Sequence, residues 1–167
     1  MNLIKNINQI KIGIIGMGYV GLPLAYYLSK KRKVICFDKN DKRIFQLKKG
    51  SDFNNEFSSD ELKKKNLIFT NEESDLSSCN FFVITVPTPI HKNNKPDLKY
   101  LLNASSIAAK YLKQGSFVVY ESTVYPGCTE EKCIPLVEKI SNLKINRDFF
   151  CGYSPERINP GDKKNKF

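Results

Sequence analysis

The sequence predicts an α/β protein in which a doubly wound parallel sheet of about six strands carries helices on both faces. Short apolar runs of strand length alternate with segments of helical length almost to the end of the chain. These runs are continuous rather than alternating, as expected for strands covered on both sides. A glycine-rich turn directly follows the first run, where such a sheet would pass into its first helix.

Six apolar runs are interpreted as strands. The run FFVITV has the strongest signal, because it is continuous, rich in aromatic and β-branched residues, and stopped by Pro87. The predicted strands are 11–16, 33–38, Leu67–Thr70, 81–86, 116–121 and 148–153.

Helices are predicted between most of these strands. Segment 22–31 follows the first strand, and segment 42–50 follows the second until Gly50 ends it. Pro96 and Asp97 are expected to cap a long helix that reaches about Lys113. Glu130 and Glu131 favour the first turn of a further helix at 133–140, whereas the polar segment 51–66 is given no element.

Composition narrows the class of protein. A length of 167 residues suits one domain, and no apolar run is long enough for a membrane span. The five cysteines show no CxxC and no metal-ligand spacing, which predicts a reduced, cytoplasmic protein without a bound metal. Cys128, although near the predicted rim of the site, is expected to be structural.

The net charge of +10 raises the question of a nucleic-acid partner. The basic residues form short separate clusters at predicted helix ends or turns, and no recognition-helix or RNP-type motif is present. We therefore interpret the clusters as solvated surface and expect neither a nucleic-acid nor a membrane partner.

The glycine-rich turn is GMGYVG, a GxGxxG between a strand and a helix, which is typical of the Rossmann dinucleotide-binding fold. Gly16 would allow the tight turn, Gly18 the approach of a pyrophosphate, and Gly21 close packing of helix on strand. Tyr19 and Val20, between these glycines, are assigned to the same site.

Asp38 ends the second predicted strand, where a carboxylate can bind the adenosine ribose and repel a 2′-phosphate. The cofactor is therefore predicted to be NAD rather than NADP. Arg43 has two interpretations, a contact to the adenine or ribose, or a surface arginine on a basic helix.

Ligands of doubly wound sheets bind beyond the carboxyl ends of the strands. Three such ends carry Pro, Thr, Ser, Glu or Arg residues that could serve a site and also simple turn chemistry. The three strand ends share one rim of the sheet with the glycine turn, which favours a ligand-binding site. The residues assigned to this site are Pro87, Thr88, Ser122, Thr123, Glu156 and Arg157.

The stretches GMGYVGLPLA, FDKNDKRI, VPTP, YESTVYPGCTEE and GYSPERINPGDK together resemble the UDP-glucose/GDP-mannose dehydrogenase family. The resemblance implies oxidation of a nucleotide-sugar alcohol to a carboxylate with two NAD. It implies that Thr123 lies near the nicotinamide and a catalytic water, and that Glu156 positions substrate and water. Pro160 stands where UDP-glucose enzymes carry a second glutamate, which favours a UDP-N-acetylhexosamine of the capsule or O-antigen pathways as substrate.

The same resemblance implies a second domain that binds the UDP-sugar and supplies a catalytic cysteine and lysine, and a central helix that forms a homodimer. We expect residues 1–167 to be a truncated NAD-binding domain without that half, inactive alone. The alternatives are a non-catalytic NAD-binding module or vestigial product, and a hydroxyacid-type dehydrogenase, against which ESTVYPG and SPER argue.

Overall fold

The computed structural model describes residues 6–91 and 93–155 of the chain. They form one six-stranded sheet in which every neighbouring pair is parallel, in the order β3-β2-β1-β4-β5-β6. The strands are β1 Ile12–Ile15, β2 Val34–Phe37, β3 Leu67–Thr70, β4 Phe81–Ile84, β5 Ser116–Tyr120 and β6 Phe149–Tyr153. This is the Rossmann order, and it confirms the predicted fold class.

Helices cover both faces of the sheet. They are α1 Gly21–Ser29, α2 Asp41–Lys48, α3 Ser59–Leu62, α4 Lys99–Tyr111 and α5 Ile134–Ser141. The buried residues of α1, α2 and α3 join one apolar cluster, and those of α4 and α5 join another. Within β1, Ile14 belongs to the first cluster and its neighbour Ile15 to the second. Continuous apolar runs are needed here because successive side chains enter two separate cores.

Several element ends differ from the sequence prediction for local reasons. Segment 51–66 contains α3, which begins with a capping box between Ser58 and Glu61. The long helix begins at Lys99 rather than at Asp97, whose carboxylate accepts the Lys99 N–H at 2.9 Å. A single π-helical turn, Thr129–Cys133, precedes α5.

The basic clusters lie where helices end and strands begin. Residues 30–33 lie between the end of α1 and β2, Lys48 and Lys49 lie at the end of α2, and residues 63–65 lie between α3 and β3. The sequence interpretation placed the clusters at helix ends or turns, and these three are found there. Cations at helix C-termini interact favourably with the helix dipole.

The five cysteines are all free, and four of them are buried. Among residues 6–91 and 93–155, no group of three or more His, Cys, Asp or Glu side chains could hold a metal ion. Within the same residues, no helix has both the length and the apolar character needed to cross a membrane.

The packing of α4 against the sheet should dominate stability on that face. Leu101 is 1% exposed, whereas Leu102 is only partly buried. We expect Leu101→Ala to lower the free energy of unfolding by about 2–5 kcal/mol, because the substitution leaves a cavity in a close-packed core. Leu102→Ala, the control on the same helix, should cost less. Urea unfolding monitored by circular dichroism measures both, and equal losses would contradict this account of the core.

Candidate functional site

The strand order reverses between β1 and β4, and a crevice opens beyond their carboxyl ends. The chain leaves β1 toward α1 on one face and leaves β4 toward α4 on the other. Loops that diverge to opposite faces cannot fill the space between them. This crevice is where doubly wound sheets bind their ligands.

The glycine turn is fixed at its first residue by two neighbouring strands. Gly16 has φ 108°, a left-handed conformation that favours glycine. Its N–H donates to the Phe37 carbonyl at 2.8 Å, and its own carbonyl accepts the Thr85 hydroxyl at 2.8 Å. The turn is therefore attached to β2 on one side and to the end of β4 on the other.

The third glycine is required by the packing of α1 on the sheet. A Cβ atom at Gly21 would lie 1.9 Å from the Gly16 carbonyl oxygen and 2.5 Å from the Thr85 hydroxyl. No side chain fits at that distance, so the helix approaches the turn this closely only with glycine. Gly21 therefore has a structural role that does not depend on a ligand.

The second glycine differs, because nothing in the described part of the protein occupies the space beside it. A Cβ atom at Gly18 would meet no heavy atom within 4 Å, and its φ lies outside the left-handed range. Neither packing nor backbone conformation requires glycine here. The space beside Gly18 therefore fits a ligand whose phosphates approach the backbone closely.

The amino terminus of α1 faces the same space. Val20 precedes the helix, and its side chain makes no capping hydrogen bond. Pro23, in the first turn, has no N–H to satisfy. The Leu22 N–H donates to the Gly18 carbonyl at 3.1 Å, and the positive end of the helix dipole remains available to an anion.

Asp38 and Arg43 form hydrogen bonds with the backbone N–H and carbonyl of Met17, which lies in the glycine turn. The Asp38 carboxylate accepts the Met17 N–H at 2.7 Å and the Asn40 N–H at 2.8 Å. The Arg43 Nε–H donates to the Met17 carbonyl at 2.8 Å. Arg43 is 4% exposed, so the interpretation of it as a surface arginine is wrong. It is part of the wall of the crevice.

The Arg43 guanidinium makes two further contacts that the sequence did not reveal. Its Nη1 donates to Asp52 Oδ1 at 2.8 Å, and its Cζ lies 4.2 Å from the centroid of the Phe53 ring. Its Nη2 is buried and has no hydrogen-bond partner in the described part of the chain. Asp52 and Phe53 lie in segment 51–66, whose polar composition gave no periodic signal.

The crevice consists of two cavities that share Gly18, Thr85, Val86 and Pro87. The first, about 600 Å³, lies on the β2 side and is lined by Asp38, Arg43 and Phe53 among others. The second, about 620 Å³, lies on the β5 side; its lining residues include Tyr19, Val20, Thr88, Ser122 and Thr123. Of the predicted site residues that the structure describes, all but Gly21 line one of these two cavities.

The hydroxyls of the second cavity have different roles. The Ser122 hydroxyl is buried and donates to the Val86 carbonyl at 2.6 Å. This hydrogen bond joins the loops that follow β4 and β5. The Thr88 hydroxyl donates to the Thr123 carbonyl at 2.5 Å and joins the same two loops. The Thr123 side chain is exposed and leaves its hydroxyl available at the rim.

The end of β6 lies beside the same rim. The Ser154 N–H donates to the Tyr120 carbonyl at 2.9 Å, and the Tyr153 hydroxyl lies 3.5 Å from the Val124 nitrogen. Glu156 and Arg157, the predicted substrate-binding residues, lie outside the described residues.

Thr85 is a site residue that sequence reasoning missed. It is buried, and its hydroxyl contacts the carbonyls of Ile15 and Gly16 at 3.2 and 2.8 Å. A signal was present, because a single hydroxyl inside the apolar run FFVITV must find a partner when it is buried.

The cysteines nearest the second cavity do not provide a nucleophile. Cys128 and Cys133 are fully buried, and burial raises the pKa of the Cys133 thiol to about 11. Burial likewise raises the pKa of Cys128. Both thiols therefore stay protonated near neutral pH.

Known proteins are similar to this chain in sequence and in fold. A family model described as the UDP-glucose/GDP-mannose dehydrogenase family, NAD binding domain, matches residues 10–167. A UDP-N-acetyl-D-glucosamine 6-dehydrogenase from Salmonella typhi is 53% identical over 161 residues, 96% of this chain and 38% of the relative. Protein CapL from Staphylococcus aureus is 53% identical over 156 residues, 93% of this chain and 37% of the relative.

A solved structure of UDP-D-ManNAc dehydrogenase from Pyrococcus horikoshii superposes with a TM-score of 0.84 at 33% identity, over 91% of this chain and 37% of that chain. The chain therefore spans 37–38% of the length of these relatives. The family resemblance of the sequence motifs and the expectation of NAD as cofactor are confirmed. The match over residues 10–167 shows that the chain belongs to the UDP-glucose/GDP-mannose dehydrogenase family and comprises its NAD-binding domain.

Proposed function

We propose that this chain is the NAD-binding part of a nucleotide-sugar 6-dehydrogenase that oxidises a UDP-N-acetylhexosamine to its uronic acid. The observation that carries the proposal is the pair of adjacent cavities that reach from Asp38 to Thr123 and share Gly18 in their walls. The N-acetylated sugar is supported by the relative from Salmonella typhi, 53% identical and named a UDP-N-acetyl-D-glucosamine 6-dehydrogenase.

The residues of the crevice fit a dinucleotide in one orientation. Asp38 would accept hydrogen bonds from the adenosine ribose in the first cavity, and Arg43 would lie beside the adenine. The open space at Gly18 and the uncapped start of α1 would take the pyrophosphate. Tyr19, Val20, Pro87, Thr88 and Ser122 would then enclose the nicotinamide half in the second cavity.

NAD supplies a hydride acceptor when it is bound. We propose that the exposed Thr123 hydroxyl holds a water or the sugar hydroxyl at the rim, close to where negative charge develops on oxygen. Glu156 would share in ordering that water, and Arg157 would face the charged nucleotide sugar. Both residues follow β6 closely in the sequence.

The wider setting of the reaction also belongs to the proposal. A relative named CapL points to capsule synthesis, and we extend this to surface polysaccharides including O-antigen. We propose a cytoplasmic location and a homodimer for the full-length form. The partner is a UDP-sugar substrate, with no role for nucleic acid or membrane.

Oxidation of an alcohol to a carboxylate needs a second step, which we assign to a thiolate outside this chain. The buried thiols described above cannot supply it at neutral pH. We expect the 167-residue chain to bind NAD but not to produce NADH catalytically from UDP-N-acetylglucosamine. Absorbance at the NADH maximum measures this, with a full-length relative as positive control, and multiple turnovers by this chain would refute the division of roles.

Asp38 should determine cofactor affinity. We expect Asp38→Ala to weaken NAD binding by about 1.5–3 kcal/mol, because hydrogen bonds from the ribose to a charged carboxylate are lost. Lys48→Ala, an exposed control at the end of α2, should leave affinity unchanged. Calorimetric titration compares the two, and equal affinities would count against Asp38 as the ribose partner.

Substitutions of Gly18 and Gly21 should have different effects on NAD affinity and on the stability of the fold. Gly18→Ala is expected to keep the free energy of unfolding within about 1 kcal/mol of wild type, since its Cβ enters open space. NAD affinity should nevertheless fall at least about tenfold, because that Cβ occupies the proposed pyrophosphate position. Gly21→Ala should destabilise the fold itself, because its Cβ would clash with the Gly16 carbonyl.

Urea unfolding and calorimetric titration of NAD measure the two properties. If Gly18→Ala bound NAD as tightly as wild type, the pyrophosphate would not lie at this turn.

A further inference from the structure

The turn between α2 and α3 forms part of the wall of the first cavity. We call residues 52–56 the Asp52 turn. The Asp52 side chain is fully buried, and its carboxylate accepts the N–H groups of Asn54 at 3.3 Å and Glu56 at 3.0 Å. The Asn55 N–H donates to the Asp52 carbonyl at 2.9 Å, and Asn55 has φ 52°. The turn therefore holds the carboxylate in place from its own backbone.

This carboxylate orients the Arg43 guanidinium. Asp52 Oδ1 accepts from Nη1 at 2.8 Å, while Nε donates to the Met17 carbonyl at 2.8 Å. The Arg43 Cζ lies over the Phe53 ring, 4.2 Å from its centroid. Two contacts from the Asp52 turn and one from the glycine turn fix a side chain that is otherwise long and mobile.

The arrangement is not explained by stability alone. Burying an ion pair costs desolvation that the attraction of the charges offsets only when every polar atom is satisfied. Here Nη2 is buried without a partner in the described part of the chain, which adds a further cost. A guanidinium held in one orientation at the wall of the first cavity is instead suited to a ligand acceptor.

The first cavity is where that acceptor would bind. Arg43 and Phe53 both line it, together with Asp38, the proposed partner of the ribose. A planar, positively charged guanidinium can contact an aromatic base or the oxygens of a ribose. Both groups belong to the adenosine half of a dinucleotide.

We infer that Asp52 is a positioning residue for the cofactor, which holds the Arg43 guanidinium in the orientation that contacts the adenosine half. Asp52 does not itself line the cavity and acts through Arg43. This role rests on the proposed cofactor site, and it adds a determinant of affinity in a turn that is separate from the glycine motif and from the end of β2.

A double-mutant cycle tests the inference. NAD affinity is measured by calorimetry for wild type, Arg43→Ala, Asp52→Ala and the double variant. We expect each single change to weaken NAD at least tenfold, and the double variant to lie within twofold of Arg43→Ala, because Asp52 has nothing to orient once the guanidinium is gone. Independent, multiplying losses would overturn the role of Asp52.

Binding of shorter ligands shows which half of the cofactor site the Asp52 substitutions affect. ADP-ribose keeps the adenosine half and lacks the nicotinamide, so it should lose as much affinity as NAD in the Asp52 variants. Nicotinamide mononucleotide lacks the adenosine half and should bind these variants as it binds wild type. A comparable loss for the mononucleotide would mean that the whole crevice is distorted, and would overturn the inference.

Two further variants separate positioning from stability. Asp148→Ala removes a carboxylate that accepts the Lys144 N–H and pairs with Arg147 ahead of β6, and it should cost stability without changing NAD affinity. Asp52→Asn keeps an oxygen for the turn but removes the charge, and it covers the case in which Asp52→Ala does not fold. Its NAD affinity should fall between wild type and Arg43→Ala, whereas unchanged affinity would overturn the inference.

The inference and the proposed function fail in different ways. Absence of NAD binding by wild type would overturn both. NAD binding that Gly18→Ala weakens, combined with independent effects of the Arg43 and Asp52 changes, would overturn only the role of Asp52.

Discussion

The carbonyl group of Gly16 is the point at which β1, β4 and α1 meet, and the crevice depends on that meeting. The oxygen accepts the Thr85 hydroxyl, and α1 comes so near that residue 21 has no room for a Cβ. If the helix packed farther out, the turn would move away from β4 and the two cavities would lose their shared wall. The shape of the site therefore follows from one close backbone contact, and the ligand-facing space at Gly18 is a consequence of it.

Met17 connects this packing to the recognition of the cofactor. Its N–H and carbonyl are bound by Asp38 and Arg43, the same side chains that face the first cavity. A charged residue near a binding site is usually flexible until a ligand orders it, and that ordering reduces affinity. Here the protein has already ordered both charges through its own backbone. The Asp52 turn extends the same principle one step farther from the ligand.

The two sides of the crevice are built from different chemistry. On the β2 side, the Asp38 carboxylate and the Arg43 guanidinium line the cavity. On the β5 side, the loops that follow β4 and β5 are joined by hydrogen bonds from side-chain hydroxyls to backbone carbonyls. Thr88 donates to Thr123, and Ser122 donates to Val86. These hydrogen bonds hold the β5 wall of the crevice in place. The chain spans 38% of the length of its relative from Salmonella typhi.

The sequence by itself determined the sheet, the glycine turn and Asp38, because each is written in residues that are adjacent or nearly so. Continuous apolar runs, the GMGYVG motif and an acidic residue at a strand end can be recognised from neighbouring residues, without information on distant contacts. Only the tertiary structure decided that Arg43 is buried rather than exposed, since its Nε bonds a residue 26 positions away. Only the fold, likewise, could show that Thr85 supports the glycine turn, 69 positions earlier, and that Asp52 orients a guanidinium. The hydrogen bonds of Arg43 with Met17 and of Thr85 with Gly16 join distant segments, which come together only when the sheet forms. The bond between Arg43 and Asp52 spans only nine positions, but it depends on a turn whose polar composition gave no periodic signal.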